Sequence, residues 1–318
     1  GGDNAPLEIV KGAVAAINEM EGIKVVLVGK SSSFMDELSK MSYNKEALRI
    51  VEASEVIGAD ETPANAVRRK KDSSIVKGLN LVKDGEADAF VSAGSTGALL
   101  LGATVIIGRL NGVERPALGT AIPGEKGTTL LMDSGANVDC KAKYLEQFAK
   151  LASVYVENVT GIEKPTVGLV NIGSEEEKGN MLTKEAYSLL KESNVNFIGN
   201  IEPREIPSGN VDIAVCDGFL GNAMLKLIEG TSKTLLSMIK AEITAGPYKI
   251  AAAMLKKPFK KVKARFDSEE VGGAPFLGLN ALVVKAHGNS QEKAIKNAIK
   301  QCKIFVENDI VSKTREKL

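Results

Sequence analysis

The sequence predicts an α/β protein built on a doubly wound, mostly parallel sheet. Short apolar segments alternate with longer helical segments along the chain, which is the pattern of βαβ units. Five of the apolar segments end in short turns of small and polar residues. Residues 231–265 depart from this alternation and predict an inserted, amphipathic helical hairpin. We expect a single domain over residues 1–318, from which this hairpin protrudes.

The individual elements follow from apolar runs, helix-start signals and turn residues. Thr62 followed by Pro63, for example, is typical of a helix start, with Thr as N-cap and Pro at the first helical position. On such signals we predict strands at 23–29, 48–52, 89–91, 128–132, 166–172, 211–216 and 281–286. Helices are predicted at 7–20, 62–82, 140–159 and 181–193, after the turn 92–97, from about 223, and after residue 290.

The turn Ser92-Ala-Gly-Ser-Thr-Gly97 joins an apolar strand directly to a helix. The first backbone N–H groups of that helix lack intrahelical partners, and the helix dipole adds positive charge there. Gly94 and Gly97 permit close approach of a ligand, and Ser95 and Thr96 add hydroxyl groups. The turn matches neither the Walker loop nor the dinucleotide fingerprint. It predicts a phosphate site, and a packed turn without ligand stays open as the alternative.

The amino-acid composition of the chain argues against several classes of function. The net charge is +1, so no overall charge excess predicts a nucleic-acid partner. The three cysteines are widely spaced, which argues against disulfides and zinc and favours a reducing cytoplasm. We expect neither a metal ion nor a cofactor. Because the chain opens at Gly1 without an initiator Met, we expect residues to be missing before it.

Polar turns follow five predicted strands. In a parallel sheet these turns would lie at one edge, where α/β proteins bind their ligands. The sequence therefore predicts a polar crevice lined by the turns 92–97, 133–137, 171–175, 217–222 and 287–290.

Five segments in order resemble the bacterial phosphate acyltransferase family, PlsX. They are Gly1-Gly-Asp-Asn-Ala-Pro6, Ser92-Ala-Gly-Ser-Thr-Gly-Ala98, Asp133-Ser-Gly-Ala-Asn137, Asp217-Gly-Phe-Leu-Gly-Asn222 and Lys285-Ala-His-Gly-Asn-Ser290.

The resemblance implies transfer of a long acyl chain from acyl carrier protein to inorganic phosphate, which gives acyl phosphate for phospholipid synthesis. It also implies a homodimer with a fold related to isopropylmalate dehydrogenases and phosphotransacetylases. Peripheral attachment to the cytoplasmic face of the cell membrane goes with it. The family begins with a short strand before the first motif, so this chain looks trimmed by several residues.

Attack of phosphate on a thioester mainly requires an anion held beside the carbonyl and stabilisation of the oxyanion. Lys178 is suited to pair with phosphate or the oxyanion, and a solvated loop lysine beside three glutamates is the alternative. Asn222 is suited to donate from its amide, or to serve as a helix N-cap. His287 is suited to protonate the leaving thiol or to bind phosphate, and a structural role is its alternative.

The remaining polar candidates lie in strand-end turns. Asp133, Asn137 and Asp217 either orient hydrogen-bond donors for the substrate or satisfy turn backbone. Cys140 and Cys216 are rival nucleophiles, but we interpret both as small buried apolar residues because no histidine is near them in sequence.

Two surface segments predict partners. The run Arg68, Arg69, Lys70 and Lys71 is either a solvated helix face or a basic dock for the acidic carrier protein. In the hairpin, apolar residues beside lysines predict an interfacial contact with an anionic membrane, and a dimer contact is the alternative. The membrane candidates are Leu235, Leu236, Ile239, Met254, Leu255, Lys256 and Lys257.

Two other functions remain open at this stage. A phosphotransacetylase would use coenzyme A and short acyl groups, and the apolar hairpin argues against it by offering a place for a long chain. A membrane-recruited binding protein without catalysis would leave the five polar turns without a purpose.

Overall fold

A computed structural model describes residues 1–245, 249–266 and 268–318. Strands and helices alternate along these residues. The strands are β1 Val25–Gly29, β2 Leu48–Glu52, β3 Ala89–Ser92, β4 Ala117–Pro123, β5 Thr128–Met132, β6 Thr166–Val170, β7 Asn196–Ile201, β8 Ile213–Val215, β9 Gly273–Leu277 and β10 Leu282–Ala286. The helices are α1 Leu7–Glu19, α2 Met35–Ser39, α3 Pro63–Arg69, α4 Ser74–Lys83, α5 Thr96–Ile106, α6 Ala142–Thr160, α7 Met181–Glu192, α8 Gly218–Thr244, α9 Lys249–Arg265, α10 Ser268–Val271, α11 Glu292–Glu307 and α12 Ile310–Lys317.

Eight strands form one central sheet in the order β3-β10-β9-β4-β5-β8-β6-β7. The pairs β3–β10, β5–β8, β8–β6 and β6–β7 are parallel, and the pairs β10–β9, β9–β4 and β4–β5 are antiparallel. Strands β1 and β2 form a separate parallel pair. The predicted α/β class with a mostly parallel sheet is confirmed.

The expectation that all five polar turns lie at one edge of the sheet is wrong. Three antiparallel steps separate β10 from β5, so β3 and β10 run opposite to β5, β8 and β6. The turns 92–97 and 287–290 therefore follow strands that end at one end of the sheet. The turns 133–137, 171–175 and 217–222 follow strands that end at the other.

Helices cover both faces of this sheet. On one face, Leu130 and Met132 of β5 pack in a core cluster with residues of α6, α7 and α11. On the other face, Leu118 packs in a cluster with α3, α4 and α5, whereas Ile122 packs in a cluster with Met224 of α8. Leu118 and Ile122 are four residues apart on β4 and so point to the same face. Helices α5 and α8 therefore lie over the same side of the sheet.

Several element boundaries differ from the sequence expectation. The helix predicted at 62–82 is two helices, because the chain leaves helical geometry at Lys70 and Ser73 caps a new helix by accepting from the N–H of Val76. The helix expected from about 223 begins at Gly218. Strands β4, β7 and β9 were not expected.

The predicted hairpin corresponds to the distal part of α8 together with α9, and the two helices contact each other. The buried residues of α8 are Gly218, Gly221 and Met224, so its remaining length carries half-buried and exposed side chains. The predicted helix break at 245–247 falls partly outside the described residues, which exclude 246–248. No helix in the described part of the chain is both long enough and apolar enough to cross a membrane.

The start of α8 packs so closely on β5 that Gly221 has no space for a side chain. A Cβ there would overlap the carbonyl oxygen of Asp133, whereas a Cβ at Gly230 of the same helix would meet open space. We expect Gly221→Ala to lower the free energy of unfolding by about 3 kcal/mol through overpacking.

The matched variant Gly230→Ala should instead raise the free energy of unfolding by about 0.5–1 kcal/mol, because alanine favours the helix. Urea denaturation of both variants measures the two effects. Equal effects of the two substitutions would contradict the close packing at Gly221.

Candidate active site

The first group of polar residues surrounds the N-terminus of α5. The backbone N–H of Asp3 donates to the carbonyl oxygen of Gly288 at 2.7 Å, and Asn4 Nδ2 donates to the carbonyl oxygen of Asn289 at 3.0 Å. Lys285 of β10 lies in register with Ser92 of β3. We call this group, residues 1–4, 92–97 and 285–290, the α5 cluster.

The turn 92–97 has the local structure that the sequence predicts. Ser92 is buried and its Oγ accepts from the N–H of Gly94 at 3.2 Å. Ser95 is the N-cap of α5 and accepts from the N–H of Ala98 at 3.4 Å. Gly94, Ser95, Thr96 and Gly97 are half-buried and therefore reachable from solvent. The turn thus presents the start of a helix, where an anion is favoured.

Lys285 is a member of the α5 cluster that sequence reasoning missed as a functional candidate. Its side chain is half-buried, and its Nζ donates to the carbonyl oxygens of Ala93, at 3.4 Å, and of Ala286. Burial lowers the pKa of Lys285 to about 8, and the charge of Asp3 opposes this shift. The signal in the sequence is a lysine near the end of an apolar strand, two residues before His287. His287 itself is exposed.

The second group lies at the carboxyl ends of β5, β8 and β6, which are adjacent parallel strands. The turns 133–137 and 217–222 follow two of these strands, and a loop at 171–178, which includes the predicted turn 171–175, follows the third. We call this group the β5–β8–β6 edge. It contains Asp133, Asn137, Asp217, Asn222 and Lys178 of the sequence-predicted candidates.

The carboxylate of Asp133 organises this edge. It is fully buried and accepts from the N–H groups of Leu118, Gly135, Ala136 and Asn137 and from Asn137 Nδ2, at distances of 2.6–3.1 Å. Burial raises the pKa of Asp133, and these hydrogen bonds oppose the rise. Asn137 is also buried, and its Nδ2 donates to the carbonyl oxygen of Pro116 as well. Both side chains therefore fit a role in shaping the turn.

Asp217, not Asn222, is the N-cap of α8. Its Oδ1 accepts from the N–H of Leu220 at 2.9 Å. Asn222 lies one turn into the helix and is exposed, so the alternative role as an N-cap is wrong for it. A Cβ at Gly135 would lie 3.3 Å from the Cβ of Asn222, which means that the helix approaches the 133–137 turn directly at this position. The Asn222 side chain is therefore presented at the surface beside that turn.

Lys178 is exposed at the end of the 171–178 loop. Its N–H donates to the carbonyl oxygen of Glu175 at 3.2 Å, and its own carbonyl oxygen accepts from Asn171 Nδ2 at 3.1 Å. Glu176 pairs with Lys191 at 3.1 Å. The backbone of Lys178 is therefore fixed, while its side chain extends to solvent.

The two groups border one hydrophobic cluster on the α5 and α8 side of the sheet. Ala136 of the β5–β8–β6 edge packs against the cluster that contains Ala98 and Leu99 of α5. Thr120 lies between Leu118 and Ile122 on the same face of β4, and its Oγ1 is 2.6 Å from the Oγ of buried Ser134. The sequence pattern does not predict this hydroxyl pair, because it does not predict β4.

The cysteines are poorly suited to nucleophilic attack. Burial, together with the charges of Asp133 and Asp217, raises the pKa of Cys140 to about 12. Burial also raises the pKa of Cys216 well above its ordinary value. A cysteine attacks as the thiolate, and at neutral pH both side chains are thiols. Cys216 is buried, as interpreted from the sequence, whereas Cys140 is only half-buried.

The basic run lies at the end of α3 and beyond it. Lys70 pairs with Glu61 at 2.6 Å, whereas Arg68, Arg69 and Lys71 are exposed. Within the residues that the structure describes, no group of three His, Cys, Asp or Glu side chains is arranged to hold a metal ion.

A comparison with known protein families decides the relationship. The model of the family described as "Fatty acid synthesis protein" matches residues 1–313. The chain belongs to this family. It is 53% identical to the phosphate acyltransferase of Clostridium botulinum (strain ATCC 19397 / Type A), over 100% of this chain and 95% of that protein. It is also 53% identical to the phosphate acyltransferase of Clostridium acetobutylicum, over 100% of this chain and 96% of that protein. The resemblance stated from the motifs is confirmed.

Solved structures support the fold. The chain resembles a phosphotransacetylase from Streptococcus pyogenes with a TM-score of 0.58 and 17% identity, covering 95% of this chain and 91% of that one. It resembles the EutD phosphotransacetylase from Staphylococcus aureus with a TM-score of 0.56 and 15% identity, covering 98% and 91% of the two chains. The expected phosphotransacetylase-like fold is confirmed.

Proposed function

We propose that this chain is an acyltransferase that moves a long fatty acyl group from acyl carrier protein to inorganic phosphate. The product is an acyl phosphate, which supplies phospholipid synthesis. The observation that carries the proposal is the family match over residues 1–313, together with full-length similarity to proteins named phosphate acyltransferase. The cysteine environments add support, because they favour a mechanism without a covalent enzyme intermediate.

In this reaction a phosphate oxygen attacks the thioester carbonyl carbon. The new C–O bond forms as the C–S bond breaks, and the thiol of the carrier leaves with a proton from solvent or from a protein acid. Phosphate is already ionised near neutral pH, so the enzyme has little need of a general base. Its main tasks are to hold the two reactants together and to stabilise the negative charge on the carbonyl oxygen.

Lys178 and Asn222 are our candidates for stabilising that charge. Both side chains are exposed, and they follow β6 and β8, which are adjacent and parallel. The lysine ammonium is a charged, strong hydrogen-bond donor for an oxyanion, and the asparagine amide is a neutral donor. Asp217 supports this arrangement by capping α8, and Asp133 and Asn137 support it by shaping the turn against which Asn222 lies.

The α5 cluster is our candidate for holding phosphate. Ser92, Gly94, Ser95, Thr96 and Gly97 form the turn at the N-terminus of α5, and Lys285 adds a nearby cation. A pKa of about 8 leaves Lys285 mostly protonated at neutral pH, and bound phosphate would stabilise that charge further. His287 is exposed beside the same turn and is our candidate for protonating the leaving thiol. The α5 cluster and the β5–β8–β6 edge are therefore proposed as two separate binding regions, which follow strands that end at opposite ends of the sheet.

Acyl carrier protein is the proposed acyl donor, and the basic run is its proposed dock. Arg68, Arg69 and Lys71 are exposed in a short surface stretch, with Lys70 held by Glu61. An acidic partner would be steered to such a patch. If the basic run is the dock, the double variant Arg68→Glu with Arg69→Glu should raise the KM for the carrier in steady-state assays. An unchanged KM would exclude the dock.

The hairpin of α8 and α9 is proposed to hold the protein peripherally on the cytoplasmic face of the cell membrane. Leu235, Met254 and Leu255 are exposed, and Leu236 and Ile239 are half-buried. Lys256 and Lys257 are exposed directly after the apolar residues of α9. Apolar side chains beside lysines suit an anionic lipid surface. We also propose that the protein is a homodimer. In the alternative interpretation, the exposed face of α8 forms the dimer contact instead of contacting the membrane.

A phosphotransacetylase acting on acyl coenzyme A is the second candidate function, since two of the solved structures of similar fold are phosphotransacetylases. The long exposed apolar face of the hairpin favours a long-chain substrate over a short acyl group.

Replacing either proposed oxyanion donor should slow the reaction without unfolding the protein. We expect Lys178→Ala and Asn222→Ala each to lower kcat about a hundredfold or more with long-chain acyl carrier protein and phosphate. Melting temperatures should stay unchanged, because both side chains are exposed. Lys184→Ala, which removes another exposed lysine from α7, is the matched control and should retain full activity. Near-normal kcat in both site variants would assign these residues a structural or solvated role.

Reversing the charge of the hairpin should release the protein from membranes. The variant Leu255→Glu, Lys256→Glu and Lys257→Glu should no longer sediment with anionic phospholipid vesicles, because it loses both apolar and electrostatic attraction. Its activity on soluble substrates should stay near normal. Lys313→Glu with Arg315→Glu, on the exposed side of α12, is the control and should still sediment. Sedimentation of the triple variant would contradict the membrane role, and its dissociation into monomers would identify a dimer contact.

A further inference from the structure

Two buried asparagines connect the 171–178 loop to the central sheet. Asn171 directly follows β6, and Asn200 lies in the neighbouring strand β7. Each is only 6% exposed, and each side-chain amide donates to a backbone carbonyl oxygen of the loop. Neither residue has a catalytic or binding role in the candidate site described above.

Asn171 makes its hydrogen bonds in two directions. Its backbone N–H donates to the carbonyl oxygen of Ile201 in β7 at 2.8 Å. Its side-chain Nδ2 donates to the carbonyl oxygen of Lys178 at 3.1 Å, and its Oδ1 accepts from the N–H of Ile172 at 2.9 Å. The side chain thus joins the first residue of the loop to its last, and the main chain joins both to the sheet.

Asn200 holds the middle of the same loop. Its Nδ2 donates to the carbonyl oxygen of Glu175 at 2.8 Å. Its Oδ1 is buried and has no hydrogen-bond partner among the described residues. A buried acceptor without a partner is unfavourable, so an apolar side chain would serve the strand better. Such a local conflict is expected where a residue is kept for a functional site.

The turn after Lys178 leaves the loop little freedom. Gly179 has φ +101°, a conformation that residues with a Cβ rarely adopt. A Cβ at Gly179 would also overlap the Thr183 side chain and approach Asn171. The hydrogen bonds to the carbonyl oxygens of Glu175 and Lys178 therefore hold a loop whose end is already closely packed.

We propose that Asn171 and Asn200 are positioning residues, which hold the loop backbone so that the Lys178 ammonium is presented to the thioester carbonyl. The inference rests on the proposed function, in which Lys178 stabilises the oxyanion. A long lysine side chain loses less freedom on reaching the reacting group when its backbone is already fixed. A solvent-exposed loop lysine without a catalytic role would not need the buried side-chain amides of Asn171 and Asn200.

The test is a set of coupled substitutions assayed for phosphate-dependent release of the carrier thiol. Asn171→Ala and Asn200→Ala should each lower kcat about tenfold, with the KM of both substrates nearly unchanged. In a Lys178→Ala background the same changes should lower kcat no further, because the residues act through Lys178. Asn196→Ala is the matched control: its Nδ2 also donates to a backbone carbonyl oxygen, that of Lys164 at 2.9 Å, from the other end of β7. It should change kcat less than twofold, within the range of a neutral surface change.

A second readout follows the loop without any assay of activity. Releasing the loop should make trypsin cleave faster after Lys178, whereas cleavage at other sites should keep its rate. Asn200→Leu, which keeps a similar volume and removes the amide without adding a charge, should behave as Asn200→Ala does, and it serves if the alanine variant fails to fold.

The outcomes separate this inference from the proposal on which it rests. Normal kcat in Lys178→Ala would overturn the role of Lys178, and the positioning role with it. If Lys178→Ala is slow but the asparagine variants are not, only the positioning role is wrong. A further multiplicative loss in the Lys178→Ala background would show a general structural role and overturn the inference as well.

Discussion

The buried carboxylate of Asp133 is the interaction on which the rest of the candidate site depends. It accepts hydrogen bonds from the N–H of Leu118, at the start of β4, and from three successive N–H groups of its own turn. It thereby fixes the antiparallel β4–β5 pair to the turn that follows β5. The carbonyl oxygen of the same residue lies so close to Gly221 that α8 can pack there only without a side chain. The position of Asn222 against Gly135 follows from these two constraints.

The same arrangement explains why the molecule has two groups of polar turns. The antiparallel strands β9 and β4 stand between the parallel strands on either side. They reverse the direction of the sheet, so the α5 cluster and the β5–β8–β6 edge form at opposite strand ends. On the side of the sheet that α5 and α8 cover, Ala136 packs against the cluster that contains Ala98 and Leu99 of α5, and Thr120 and Ser134 form a hydroxyl pair.

Much of this architecture could be predicted from the sequence, since the strand–turn–helix at 89–106 follows from an apolar run, a Gly and Ser turn and a small-residue helix. β9 could not be predicted so easily. It contains Pro275, which lacks a backbone N–H and normally argues against a central strand. β4 contains Gly119 and ends at Pro123, and β7 carries Asn196 and Gly199. Without β4 and β9 the reversal of strand direction could not be foreseen. Lys285 and Asn200 were missed for a related reason, because their burial depends on which strands are neighbours.

The measurement that tests the central claim most directly is the dependence of carrier-thiol release on phosphate. Incubated with long-chain acyl carrier protein, the protein should release free carrier thiol in proportion to the phosphate supplied. Hydroxylamine should trap the acyl product as a hydroxamate, because an acyl phosphate is an activated anhydride. Thiol release that is independent of phosphate would identify a thioesterase and contradict the account. A higher rate with acyl coenzyme A than with the carrier would identify a phosphotransacetylase instead.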